Sequence, residues 1–346
     1  MTSVSRDVKA LRVNLTLALA LPVIILLGLG NGAVSLSLAD TVNGLWQYLS
    51  GGERSQAAII IGQLRLPRVL LAAVVGAILA CSGAAMQGLF RNPLADPSLI
   101  GVTAGASLGA SLMIVFSGSA LFGYAGLTLV SSGAFIGGLL SVLLVYRLAT
   151  SPNGTSVATM LLAGIAITAL AGGLGNLLEF LADNEMLRQI SLWRMGGLDG
   201  ADYPRLLIGS VVAASLMFAL PRYATALNAM LLGESEARHL GINVGRIKIG
   251  LIIWVAVGVG TAVALAGTIA FVGLIIPHMV RMLTGPDHRR LLPASALAGS
   301  CLLVLADTVA RLVLAPTELP VGVVTALIGV PFFVSLLRRR HHYGMQ

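Results

Sequence analysis

Long apolar runs separated by short polar bursts limit what this chain can fold into more than any single motif does. A helix needs about 20 apolar residues to cross a bilayer, and within hydrocarbon every backbone N–H and C=O must be satisfied by the segment itself. Ten runs meet or approach that length. They lie at about 15–33, from just after Arg68 to 89, and at 98–116, 121–147, 157–178, 206–220, 249–270, 273–282 and 292–314. The last is opened by Glu318, Leu319 and Pro320 and closed by Arg338, Arg339 and Arg340. Charged residues are 10% of the chain, against roughly 25% in a soluble domain, too few to clothe a soluble surface. The strand alternation of a membrane barrel is absent from the pattern. The sequence therefore predicts an all-α integral membrane protein, one transmembrane domain over 1–346 with ten spans. Its 41 glycines suit helices that approach closely in lipid, where packing drives association.

The ends of the runs carry the charge. Sorting Lys and Arg over ten spans puts Arg6, Lys9, Arg12, Arg91, Arg147, Arg222, Arg238, Arg246, Lys248, Arg281, Arg289, Arg290 and Arg338 to Arg340 on the side of both termini. Arg54, Arg65, Arg68, Arg188, Arg194, Arg205 and Arg311 fall opposite, among most of the acids. The positive-inside bias then places both termini in the cytoplasm. The run after Arg12 exceeds the 7–15 residues of a signal-peptide core and reads as an uncleaved first span. A faint echo links Ser82-Gly83, Gly88-Leu89 and Pro93 to Ala266-Gly267, Gly273-Leu274 and Pro277, and suggests a weak inverted repeat of spans 2–5 and 7–10.

Three polar segments stand out. The stretch after the first run, with Asp40, Trp46, Tyr48, Glu53 and Arg54, reads as a polar loop. Residues 179–200 read as a surface helix outside the membrane, with Phe180, Met186, Ile190 and Trp193 toward the headgroups. In 222–248, Glu234, Glu236, Arg238, Arg246 and Lys248 crowd together and Gly233, Gly241 and Gly245 punctuate the chain. Short glycine-ended helices with a charged face fit a partner's cleft, so this segment reads as a cytoplasmic loop on which an ATPase pushes. A plain solvated loop is equally compatible with its composition.

Chemistry is excluded more readily than assigned. Lys9 and Lys248 are the only lysines and neither follows glycine, so the chain has no phosphate loop and is not expected to hydrolyse ATP. Cys81 and Cys301 lie in apolar runs and predict no disulfide. No zinc spacing or GxSxG element appears. No basic stripe interleaved with aromatics suggests nucleic acid. A proton-coupled carrier would need a deep carboxylate. Asp307 is the one clear candidate, and Arg311 one turn away predicts a structural pair instead. Pro277 reads as lying near the start of span eight, so the lone His278 after it falls at the outer end of that span and predicts a packed residue before a ligand. Arg65 and Arg68, three apart, share a helical face at the outer mouth and suit acidic groups of a partner protein.

The stretches GAAMQGLFRNPLADPSLIGVTAGASLGA (83–110), GTIAFVGLIIPHMVRMLTGPDHRRLLPASALAGS (267–300), ADTVAR (306–311) and ELPVGVVTALIGVPFF (318–333) resemble the permeases of bacterial ABC importers for vitamin B12, ferric siderophores and haem. These are type II importers, the iron-chelate transport permease family. The resemblance implies a homodimer of ten-span subunits in the inner membrane, two cytoplasmic ATPase subunits carrying ATP and Mg, a periplasmic substrate-binding protein, and no cofactor on this chain. It implies that Arg65, Arg68 and Arg311 receive the binding protein. Asn92, Leu94, Thr155 and Ser156 would form a cytoplasmic gate, and Leu232, Gly233, Glu234, Glu236, Arg238 and Gly241 would couple to the ATPase. SLWRMGGLDGADYPR (191–205) leans toward haem among the three cargoes, with Arg188, Arg194 and His278 along the path and no metal site.

Overall fold

The computed structural model describes residues 3–32, 34–51, 55–117, 124–152 and 154–343, with side chains at 8–32, 34–51, 55–117, 126–152 and 154–335. It is almost wholly helical. In chain order the elements are α1 (Ser3–Gly30), α2 (Leu38–Ser50), α3 (Gln56–Ile59) and α4 (Leu66–Leu89), then α5 (Val102–Ser117), α6 (Tyr124–Ala149) and a two-residue hairpin, β1 (Thr150–Ser151) with β2 (Gly154–Thr155). There follow α7 (Val157–Leu181), α8 (Asn184–Met195), α9 (Tyr203–Ala219), α10 (Ala224–Met230) and α11 (Glu234–His239), and finally α12 (Val244–Ala266), α13 (Val272–Thr284), α14 (His288–Val313) and α15 (Val321–Tyr343).

Among the described residues seven helices are long and apolar enough to cross a membrane: Val8–Gly30, Gln56–Leu89, Gly126–Ala149, Val157–Leu181, Tyr203–Met230, Val244–Ala266 and His288–Val313. Three shorter apolar helices, Val102–Ser117, Val272–Thr284 and Val321–Ser335, account for the other runs read from the sequence. At 1.5 Å per residue, α13 spans only about 20 Å.

The centre is α4, buried along nearly its whole length, with α12 and α14 packed along it. Small residues make this possible. Gly76 meets Gly299 backbone to backbone, and Gly83 meets the Gly273 carbonyl. In contrast, α1 and α7 keep wide apolar faces exposed, including Leu15, Leu19, Leu162, Leu170 and Leu177.

Several boundaries differ from the sequence reading. Residues 38–50 are a helix, not a loop: Ser37 caps it by accepting from Asp40 N at 3.1 Å, and Gly51 ends it with φ 70°. Glu53 and Arg54 lie outside the described residues, as does the start of the run placed at 121. The helix of span two begins at Gln56 and passes through a π-turn, Ile60–Arg65, so Arg65 lies within it. The wider π-turn is a common device at functional positions. Residues 179–181 complete α7, and the separate surface helix is α8, capped by Asp183 through Met186 N at 2.8 Å. Of the four residues assigned to headgroups, Phe180 belongs to α7 and Ile190 is buried. The last part of 222–248 is the first turns of α12, which starts five residues before the apolar run because Asn243 caps it through Arg246 N at 3.1 Å. His278 is mid-helix in α13 and buried, not at a helix end.

Candidate functional site

Two polar clusters lie at opposite ends of α4. The first gathers at its N-terminal end, where α14 finishes and α1 ends. Asp307 on α14 is fully buried. Its Oδ1 accepts from Arg68 Nε at 3.0 Å and pairs with Arg68 Nη2 at 2.9 Å, and its Oδ2 accepts from Arg311 Nε at 3.0 Å. Arg68 continues to Glu318 Oε2 at 2.7 Å. Arg311 also donates to the carbonyls of Gly28 at 3.0 Å and Asn31 at 2.7 Å, the open C-terminal end of α1. Arg65 does the same for Leu29 at 2.7 Å and Gly30 at 3.0 Å, and also bonds the Val34 carbonyl. Cations on terminal helix carbonyls are favoured by charge and by unmet acceptors together.

The three arginines expected at one mouth are therefore brought together, but they are not equivalent. Arg65 and Arg311 are buried and occupied by internal acceptors, while Arg68 and the half-exposed Glu318 stand nearest the surface. The Asp307–Arg311 pair expected from the i, i+4 spacing forms. Sequence spacing could not reveal that Arg68, 239 residues away, shares the same carboxylate. Nor did it mark Glu318 as a partner, although its place before Leu319-Pro320 put it at a helix start. Asp307 is held by two guanidiniums, Arg68 and Arg311, as a structural ion-pair site.

Between the ends, an apolar groove is lined by Arg194, Met195, Thr268, Val323, Leu327 and Val330. Arg194 also pairs with Glu179 at the end of α7. Arg188 faces solvent and pairs with Glu185 at 3.0 Å, and hydrogen bonds from Arg188 and Gln189 hold the Glu185 carboxyl below its usual range. Of the three path residues, the structure puts only Arg194 on this groove; Arg188 and His278 do not line it.

The second cluster lies at the other end. The Phe90–Asp96 turn is held by Asn92, whose Oδ1 accepts from Leu94 N at 3.0 Å and whose own N–H reaches Gln87 O at 3.1 Å. The Thr150–Thr155 hairpin, antiparallel with Thr150 opposite Thr155, delivers the chain to α7, which Ser156 caps through Thr159 N at 3.2 Å. Up-and-down alternation of α5 and α6 puts both turns at one end. Here α11 presents an exposed rim of Leu232, Ser235, Glu236, Arg238 and Leu240, with Ala237 buried beneath. Gly233, with φ 138°, and Gly241, with φ 81°, make the turns on either side. Glu234 turns inward: its carboxylate lies 2.7 Å from Lys248 Nζ and 4.0 Å from Arg238. Nearby, the Asn228 side chain joins the start of α14, bonding Asp287 at 2.6 Å and His288 N at 2.9 Å.

Residues 20–339 match the model of the FecCD transport family. The chain is 46% identical over 282 residues to the hemin transport system permease protein of Yersinia pestis, covering 80% of this chain and 82% of that protein. It is 45% identical over 299 residues to a cobalamin import system permease protein of Halobacterium salinarum, covering 84% and 77%. Among solved structures, an inward-facing metal-chelate type ABC transporter superposes with a TM-score of 0.83 at 34% identity, covering 95% of this chain and 99% of that one.

Proposed function

The chain belongs to the FecCD transport family, and from that premise we propose that it is the membrane permease of an ATP-driven importer moving haem, or another iron chelate, from periplasm to cytoplasm. The observation that carries the reading is the 46% identity with a hemin permease over four-fifths of both chains. The nearly equal identity with a cobalamin permease keeps cobalamin, and ferric siderophores beside it, as alternative cargoes. On this reading the chain has ten spans, three of them the short helices, with the second half inverted on the first. It lies in the bacterial inner membrane with both termini cytoplasmic. It pairs with a second copy through the exposed faces of α7 and α15, two ATPase subunits sit below, and the binding protein sits above. ATP and Mg belong to the ATPase subunits, and this chain needs no cofactor of its own.

The clusters take roles accordingly. The coupling segment around α11 meets the ATPase through the exposed Leu232, Glu236 and Arg238, while Gly233 and Gly241 turn the chain and Glu234 anchors it from within. Asn92, Leu94, Thr155 and Ser156 form the gate. Arg68 receives acidic groups of the binding protein, and Arg65 and Arg311 brace it from behind. Reversing Arg68 to Glu is then expected to weaken binding-protein docking most at low salt, since an exposed pair is screened over about 10 Å at 0.1 M. Affinity that ignores both the substitution and salt would refute this role. Because Glu234 is engaged internally, the ATPase contact is better tested with Glu236→Lys plus Leu240→Asp. That variant is expected to fold normally yet fail to co-purify with the ATPase, and normal assembly would remove α11 from the interface.

The deciding experiment uses permease, ATPase and binding protein in liposomes, comparing uptake of hemin, ferrichrome and cyanocobalamin with and without ATP. ATP-dependent uptake of one of them establishes class and cargo together. Uptake that ignores ATP and follows a proton gradient would overturn the importer reading.

A further inference from the structure

We propose that Lys248 is a positioning residue that ties the coupling helix to the gate, so that a displacement of α11 is passed directly to the base of α7. The proposal rests on the importer reading for the meaning of the two elements it joins. The connection itself is in the geometry. Lys248 lies in the second turn of α12 and is 3% exposed. Its ammonium has two partners from different elements: Glu234 Oε1 at 2.7 Å, on the first residue of α11, and the Thr155 carbonyl at 2.8 Å, on the last residue of the hairpin.

Each contact does something that a surface ion pair does not. The first bond of the α7 ladder runs from Met160 N to the Ser156 carbonyl, so the Thr155 carbonyl stands outside the ladder. Lys248 satisfies it. On the other side, Gly233 turns the chain immediately before Glu234 with φ 138°, so Glu234 starts a helix of only six residues whose exposed rim bears the partner. That short helix has little packing of its own beyond Ala237. Glu234 to Lys248 is therefore a principal tie between α11 and the body of the protein. A buried ammonium must keep acceptors. When α11 moves with Glu234, the ammonium moves with it or loses a partner, and either event acts on Thr155. The hairpin is small: Thr150 stands opposite Thr155 and Ser151 opposite Gly154, and the Thr150 and Thr155 hydroxyls lie 3.0 Å apart, so a pull on Thr155 reaches both strands. A methyl-ended side chain of similar length would fill the space but transmit nothing.

The test uses the full complex of permease and ATPase in lipid nanodiscs, with a nitroxide on Ser151→Cys in the exposed hairpin. The native Cys81 and Cys301 are buried, which keeps labelling selective. The readout is the change in the nitroxide spectrum on adding ATP and vanadate, with ATP hydrolysis measured in parallel. No cargo is required. In the complex with Lys248 intact, ATP is expected to change the spectrum. In Lys248→Met the change is expected to fall at least fivefold while hydrolysis stays within twofold. Lys248→Arg, which can still reach two acceptors, should keep most of it. Glu234→Leu, which removes the acceptor, should lose it as Lys248→Met does, with assembly of the complex checked in parallel. An unchanged spectral response in either Lys248→Met or Glu234→Leu, in an assembled complex, overturns the proposal. So does parallel loss of response and hydrolysis with release of the ATPase, which would mark Lys248 as a purely structural tie. Absence of any ATP response with Lys248 intact, in an assembled complex, would instead overturn the importer reading beneath it.

Discussion

Replacing Asp307 by alanine is expected to destabilise the protein by about 3–5 kcal/mol, the cost of removing one partner from a buried ion pair. The carboxylate is fully buried and serves two guanidiniums, Arg68 at 2.9 Å and Arg311 at 3.0 Å. An exposed pair would be worth only about 0–1 kcal/mol. Here water cannot replace the lost acceptor. Arg311 would keep the Gly28 and Asn31 carbonyls and Arg68 would keep Glu318, but the buried Arg311 would lose its carboxylate partner. Thermal unfolding in detergent measures the effect. A loss below about 1 kcal/mol would mean that solvent reaches the cluster and that the pairing argument is wrong. The double variant Asp307→Leu with Arg68→Leu should recover part of the loss, because a buried pair can often be exchanged for apolar groups once both charges go. The same variants bear on mechanism. If Asp307 were the proton site of a carrier, Asp307→Asn would abolish transport while leaving the fold intact.

The second large effect concerns Gly83. Substitution to valine is expected to cost about 3 kcal/mol, at the upper end for overpacking. A Cβ on Gly83 would overlap the Gly273 carbonyl, and Gly273 in turn stands against the Leu79 carbonyl. The obstacle is backbone on both sides, so no rotamer change relieves it. The reason lies four residues on. Pro277, inside α13, has no N–H to give, and it leaves the Gly273 carbonyl without its helical donor. That carbonyl is free to press into α4. Gly172 offers the contrast: nothing lies within 4 Å of a Cβ there, and Gly172→Ala should leave unfolding of the single subunit unchanged or slightly raised, by up to about 1 kcal/mol, since alanine favours helix. A drop in thermal midpoint comparable to that of Gly83→Val would show that the exposed face of α7 is covered, as a second copy would cover it. If Gly83→Val were as stable as the parent, the close crossing of α4 and α13 would be refuted.

Most of the helices were legible from hydropathy alone, because crossing a bilayer demands long apolar runs and little else competes with that demand. What misled was local. Residues 38–50 look polar, and their capping serine is an ordinary loop residue until Asp40 is seen folding back on it. Lys248 looked like the last polar residue of a loop, yet a helix cap at Asn243 carried it inside. His278 seemed terminal because Pro277 suggested a start, whereas α13 continues through its proline.

The site divides the same way. The motifs around Asn92, Asp307 and Glu318 and the glycine-flanked charges of α11 could be read directly, since each is written within a few consecutive residues. Their partners could not. Arg68 meets Asp307, Gly83 meets Gly273, and Lys248 joins Glu234 to Thr155 across separations that no periodicity encodes. The sequence by itself determined the class of the molecule, its helical runs and its polar ends, because bilayer solvation acts on each segment independently. Only the tertiary structure decided which charges are buried and what each holds, because a buried charge is tolerated solely where packing brings acceptors from distant segments within hydrogen-bond reach.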